Sequence, residues 1–128
     1  MEDNTRSSVI NIGGTDYEMI LTTGATKQIA ARYGGLESLG DELLKSEDLE
    51  RSLDEIVWLI VTLCNQSILM HNFKNPDDKR PELTIEEVEL FTSPSELSGY
   101  KDAIMEAMYK GTKRNIESEE ETKNAQAG

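Results

Sequence analysis

The feature that most constrains the fold is the stretch from Leu49 to Phe73, where apolar residues recur on almost every side of the expected helix. A helix that is apolar all round must be covered by its own domain, by a partner or by lipid. Its unbroken apolar run, Ile56 to Val61, is only six residues long, whereas a membrane span needs about 20. We therefore expect a core helix and no membrane span. The remaining question is whether the rest of the chain can cover it.

The rest of the chain is short and acidic. With 128 residues and a formal net charge of -12, it is expected to form one domain. The charge argues against nucleic acid and anionic membranes as direct partners, because both contacts need clustered Lys and Arg. Cys64 is the single cysteine, so no disulfide framework is expected, and no N-terminal secretion signal is visible. These observations predict a cytoplasmic protein.

Turn and capping signals place the other elements. Gly13-Gly14 lies between two alternating segments and predicts a β-hairpin with Ile10, Ile12, Tyr17 and Met19 on one face. A lone hairpin is marginal in water, so we expect it to pack on the helices. Helix signals follow in four places: Thr22-Thr23 up to a stop at Gly34-Gly35, an amphipathic piece with Leu36, Leu39, Leu43 and Leu44, Thr84 with Glu87, and Ser93-Pro94-Ser95-Glu96 opening a helix that should end near Gly111.

The predicted fold class is mainly α. Residues 1–7 are expected to be a flexible leader, and residues 8–112 a single helical domain with an N-terminal β-hairpin packed on the long central helix. Residues 113–128 contain Ile116 as the one aliphatic side chain larger than alanine. They are therefore expected to form a disordered acidic tail.

No catalytic, metal-binding or cofactor-binding pattern emerges. Cys64 and His71 share a helix face two turns apart, about 10 Å, which is too far for direct proton transfer, and two ligands do not close a zinc site. A buried thiol and a half-buried imidazole are the simpler interpretation. Asp77-Asp78 lacks the glycine and closing glutamate of a calcium loop. We predict that the protein is not an enzyme.

Apolar surface is what remains to be explained. If the short elements cover one face of the long helix and the other only in part, several large side chains are available to another chain. The alternative is that the C-terminal helix completes the cover and leaves a monomer. The candidate protein interface consists of Trp58, Leu59, Leu63, Met70 and Phe73.

The order of elements resembles one family. The hairpin VINIGGTDYEMILTT, the segment IAARYGGLESLGDELL and the long apolar helix, in a short acidic chain with a charged tail, are similar to tail assembly chaperones of long-tailed phages and prophages. The likeness spans Val9 to Lys110. Its nearest points are Tyr17, the run Arg32 to Leu36, and the helix from Leu53 to Leu69.

The resemblance implies a function. Such proteins are mostly helical, self-associate, keep the hydrophobic tape-measure protein soluble, and help to recruit tail-tube subunits in the host cytoplasm before leaving the finished particle. In many relatives a frameshift yields a C-terminally extended form, and this chain would correspond to the short form. The alternative is a small acidic regulator that binds a host or phage protein, including a nucleic-acid mimic.

Overall fold

The computed structural model describes residues 7–35, 38–39 and 48–127, and the backbone alone for residues 113–127. The fold is mainly α with an N-terminal two-stranded antiparallel hairpin, which confirms the predicted fold class. In chain order the elements are β1 (Ser7–Ile12), β2 (Thr15–Ile20), α1 (Thr23–Tyr33), α2 (Leu49–Lys74), α3 (Ile85–Phe91) and α4 (Pro94–Ala127).

The hairpin has the predicted turn and register. Gly13 and Gly14 form the turn with φ of 60° and 90°, values that glycine adopts without steric cost. Ile10 pairs with Tyr17, and Met19 on the same face is fully buried. The hairpin therefore packs its apolar face against the helices and leaves its polar face in solvent. Ser7, assigned to the leader from sequence, is the first residue of β1, and residues 1–6 lie outside the described residues.

Helix α4 covers the outer edge of β1. The Tyr100 hydroxyl donates to the Asn11 carbonyl at 2.6 Å, and the Lys110 ammonium donates to the Ser7 carbonyl at 2.9 Å. These bonds occupy two carbonyls that would otherwise stay unpaired on a strand edge. Side chains of α4, rather than another strand, therefore pair with two outward carbonyls of β1.

Helix α2 is the centre of the core, and β2, α1, α3 and α4 all pack against it. Leu39 is fully buried in the same cluster. Of the predicted amphipathic segment from 36 to 44, Ser38 and Leu39 are described, and the other residues lie outside the described part of the chain. The buried residues of α2 are Ser52, Ile56, Val57, Leu59, Ile60, Thr62, Leu63, Cys64 and Ile68.

Most helix ends follow the sequence signals. Thr22 caps α1 by accepting from the Ala25 N–H, and Gly34 ends that helix with φ of 84°. Thr84 and Glu87 form the predicted capping box of α3. The cap of α2 is Asp48, whose side chain accepts from the Arg51 N–H at 3.2 Å.

Helix α4 begins at Pro94 as predicted but does not end near Gly111, and it continues to Ala127. The predicted end was wrong because Gly111 has a packing role instead. A Cβ at Gly111 would lie 2.9 Å from the Cβ of Leu21, so only glycine permits this close approach. Residues 113–127 are described only as helical backbone, and that residues 113–128 form a disordered tail stays a prediction.

Candidate protein-binding surface

Two of the five candidate interface residues are core residues. Leu59 and Leu63 have no exposed surface, so neither is available to a partner in this fold, and their assignment to an interface is corrected. The sequence showed correctly that α2 is apolar on two sides. The second side, however, is covered by the chain itself, because α1, α3, α4 and β2 all contact this helix.

Trp58 is partly buried in a cluster that joins α1 to α2. The Arg32 guanidinium lies over the Trp58 ring at 4.5 Å from its centroid and forks onto the Glu55 carboxylate at 3.0 and 3.2 Å. The Tyr33 hydroxyl also donates to Glu55, and the Tyr33 and Trp58 rings meet edge to face. Trp58 is thus engaged within the chain.

The pKa values of Glu55 and Tyr33 are both shifted in this cluster. Burial alone would raise the pKa of the Glu55 carboxyl, but hydrogen bonds from Arg32 and Tyr33 outweigh burial and lower it. Burial, followed by the hydrogen bond to Glu55, raises the pKa of Tyr33. At neutral pH the cluster therefore contains an ionised carboxylate, a protonated phenol and a guanidinium, and it fastens α1 to α2.

The C-terminal end of α2 keeps an exposed apolar stripe. Phe73 is 89% exposed, and Leu69, one turn earlier, is 44% exposed. Residues four apart lie on one helix face, so these two side chains form a stripe beside the partly exposed Met70. Of the candidate interface residues, Phe73 and Met70 are thus accessible, and Leu69 is an addition that helix periodicity could have supplied.

Helix α3 carries the second set of exposed apolar side chains. Ile85, Leu90 and Phe91 are all exposed, and within this seven-residue helix only Val88 is buried. Ile85, Val88 and Phe91 are spaced three residues apart, but only Val88 of the three is buried in this two-turn helix. We define the exposed apolar set as Leu69, Phe73, Ile85, Leu90 and Phe91.

Acidic side chains surround the apolar residues of α3. Glu86, Glu87 and Glu89 are exposed on the same helix, and Glu86 and Glu87 lie in its first turn, where a negative charge is favoured by the helix dipole. An apolar surface bordered by carboxylates suits a partner with apolar and basic side chains.

Cys64 has the properties of a structural thiol. It is fully buried, and burial raises its pKa to about 12, which keeps the thiol protonated and unreactive at neutral pH.

The Nε2 atom of His71 lies 2.8 Å from the carbonyl oxygen of Asp78. Within the described residues, no three His, Cys, Asp or Glu side chains are grouped to hold a metal ion.

Helix α2 is long and apolar enough, by length and composition alone, to cross a membrane, with a mean hydropathy of 1.4 over its most apolar window. Half of that window is buried inside the fold. The core helix of a soluble protein passes the same test, so this property is weak evidence for a membrane span. The absence of a membrane partner stays a prediction.

Comparisons of the chain with protein-family models, curated proteins and solved structures found no match.

Proposed function

We propose that the protein is a tail assembly chaperone of a long-tailed phage or prophage. In this role it oligomerises, keeps the tape-measure protein soluble and helps to recruit tail-tube subunits, without catalysis or cofactor, in the host cytoplasm. The observation that carries the proposal is the exposed apolar set on an acidic protein. The mainly helical fold with an N-terminal hairpin is the architecture that the family resemblance implies.

The physical properties of the exposed apolar set support holding another chain in solution. Large exposed side chains such as Phe73 and Leu90, 89% and 71% exposed, bind apolar segments of a client. The net charge of -12 keeps the resulting complex dispersed. Many weak contacts along one long client multiply modest affinities, so no deep pocket is required.

The direct test is co-expression with the tape-measure protein of the same genome. We expect the client to move from the insoluble to the soluble fraction, and a Phe73→Ser, Leu90→Ser double variant to lose this effect while remaining folded. Val9→Thr, which alters an exposed residue on the outer face of the hairpin, is the matched control and should retain the effect. Unchanged client solubility with the unaltered chain would remove the mechanism.

Self-association is tested separately by sedimentation velocity over a wide concentration range. The same double variant should shift the distribution towards the monomer, because removing exposed apolar side chains weakens an interface between copies. A strictly monomeric profile of the unaltered chain at high concentration would count heavily against the proposal.

The alternative is a small acidic regulator, which is favoured by the exposed carboxylates on α3. The two roles differ in their response to salt. Binding by exposed carboxylates weakens steeply as ionic strength rises, whereas apolar binding persists. Genes for a tail-tube protein and a very long tape-measure protein beside this gene would favour the chaperone.

A further inference from the structure

A groove of about 410 Å³ separates β2 from a part of the chain that lies outside the helices and strands. Residues 15–18 of β2 form one wall, and Arg80 and Pro81 form the other. Ser67, Ile68 and His71 of α2 line the groove between these walls. None of these residues belongs to the exposed apolar set, so the groove is distinct from that set.

The groove wall at β2 is a free strand edge. In a hairpin closed by a two-residue turn, the pair next to the turn is hydrogen-bonded, so every second residue directs its N–H and C=O away from the partner strand. With Ile12 opposite Thr15, the outward-directed residues of β2 include Asp16 and Glu18. The Glu18 carbonyl indeed accepts from the Ser67 hydroxyl at 3.0 Å, which places this edge in the groove.

Main-chain hydrogen-bonding capacity is left over on this edge. Within the described part of the chain, no group bonds to the outward N–H or C=O of Asp16 or to the N–H of Glu18. The Ser67 hydroxyl has a second acceptor, the Cys64 carbonyl, also at 3.0 Å, so it can release the Glu18 carbonyl. The β1 edge differs, because side chains of α4 donate to its carbonyls.

The opposite wall is a strap, defined here as residues 79–84, that α2 holds by its main chain. The Asn72 amide both donates to the Arg80 carbonyl and accepts from its N–H, at 2.9 and 2.8 Å. The Asn65 amide makes the same pair of bonds to Leu83, at 2.9 and 2.7 Å. The strap and β2 thus both lie against α2, with the groove between them.

We propose that this groove binds an extended segment of a partner protein, which adds as a strand to the β2 edge through Asp16 and Glu18. Strand addition supplies affinity through main-chain hydrogen bonds and selectivity through alternating side chains. On the outer face, the partner's side chains would stand beside the carboxylates of Asp16 and Glu18, which favours Lys or Arg there. On the inner face they would lie over Ile68 beside Tyr17, which favours aliphatic residues. The fitting partner is therefore a segment that alternates basic and aliphatic residues.

The test is an NMR titration of the ¹⁵N-labelled full chain with the capped peptide Lys-Val-Lys-Val-Lys. We expect saturable shifts of the Asp16 and Glu18 amide signals. N-methylation of the peptide at alternate residues, on the edge that meets β2, should weaken binding about tenfold. This arm leaves the protein unaltered, so it does not depend on a variant that folds. The peptide Glu-Val-Glu-Val-Glu should not bind.

A charge-reversal variant tests the outer face. Glu18→Lys should weaken binding of the basic peptide by roughly fivefold to tenfold, whereas Glu86→Lys, an equal charge change on α3, should leave it nearly unchanged. The proposal is overturned if the Asp16 and Glu18 signals do not move, or if the N-methylated peptide binds equally well. It is also overturned if both variants weaken binding to the same extent, since that result would indicate unspecific attraction. None of these outcomes decides the chaperone proposal, which concerns other residues.

Discussion

Gly111 is a residue at which a substitution that raises helix propensity should nevertheless destabilise the protein. In a helix, alanine is more favourable than glycine by about 1 kcal/mol, so Gly111→Ala would stabilise α4 if the site were open. Its Cβ would instead lie 2.9 Å from Leu21 Cβ, 3.1 Å from Leu21 Cδ2 and 3.2 Å from the Leu21 carbonyl oxygen. Carbon atoms prefer separations of about 3.5–4.0 Å. The contact must therefore open by roughly half an ångström or more.

The cost follows from which atoms must move. Leu21 is itself buried, and its Cβ and carbonyl oxygen are fixed by the backbone directly after β2, so a change of side-chain rotamer cannot relieve the contact. Overpacking of this kind costs about 1–3 kcal/mol. After subtraction of the gain in helix propensity, we expect Gly111→Ala to lower the free energy of unfolding by about 1 kcal/mol and the melting temperature by roughly 4 °C.

Gly99 provides the matched control in the same helix. A Cβ at Gly99 meets nothing within 4 Å, so Gly99→Ala should raise the free energy of unfolding by up to about 1 kcal/mol. Urea unfolding followed by circular dichroism measures both variants, and equal slopes against urea would show that the comparison is valid. If both substitutions stabilise the protein equally, α4 does not pass close to Leu21 and the explanation for Gly111 is wrong.

Three further predictions concern buried and hydrogen-bonded groups. Because burial raises the pKa of Cys64 to about 12, iodoacetamide should label this thiol in denaturant and hardly at all in the folded protein; rapid labelling of the native protein would contradict its burial. Glu55 has a lowered pKa beside Arg32, so its contribution to stability is present at neutral pH and is lost as the pH falls through that lowered value. Urea unfolding in acidic and neutral buffers should therefore show a smaller loss on acidification for Glu55→Gln than for the unaltered chain, and an equal loss would refute the assignment. Asn65→Ala leaves a partly buried strap N–H and C=O without partners and should cost about 1–3 kcal/mol, whereas Asn72→Ala, at an exposed pair of bonds, should cost distinctly less in the same assay.

Local chemistry made several parts of the fold predictable. A Gly13-Gly14 turn determines the pairing of both strands, because a shift by one residue would expose the apolar face of the hairpin. Capping patterns at Thr22, Thr84 and Ser93 placed three helix starts, since the side chain and the N–H that it accepts from are close in sequence. These are interactions within a few residues, so no tertiary information was needed.

Long-range contacts were not predictable in the same way. The amide side chains of Asn65 and Asn72 hold a segment 18 and 8 residues away, and the two asparagines on their own indicate only a polar side of the helix. Gly111 has the same sequence appearance as a helix-ending glycine, and only the proximity of Leu21 reveals its packing role. In both cases the deciding partner lies on another element.

The burial of α2 changes where association between chains can occur. The sequence suggested that the second apolar side of this helix stays open along its middle, but Leu59 and Leu63 are fully buried. A partner therefore has access to the end of α2 at Phe73 and to α3 at Leu90 without opening the core. Leu63→Ala should then cost about 2–5 kcal/mol of folding stability and affect association only through unfolding. Leu90→Ser should weaken association, measured by sedimentation velocity, while thermal unfolding stays nearly unchanged. If Leu63→Ala instead leaves stability intact and abolishes self-association, the middle of α2 is an interface after all and the fold of the isolated chain differs from the one described.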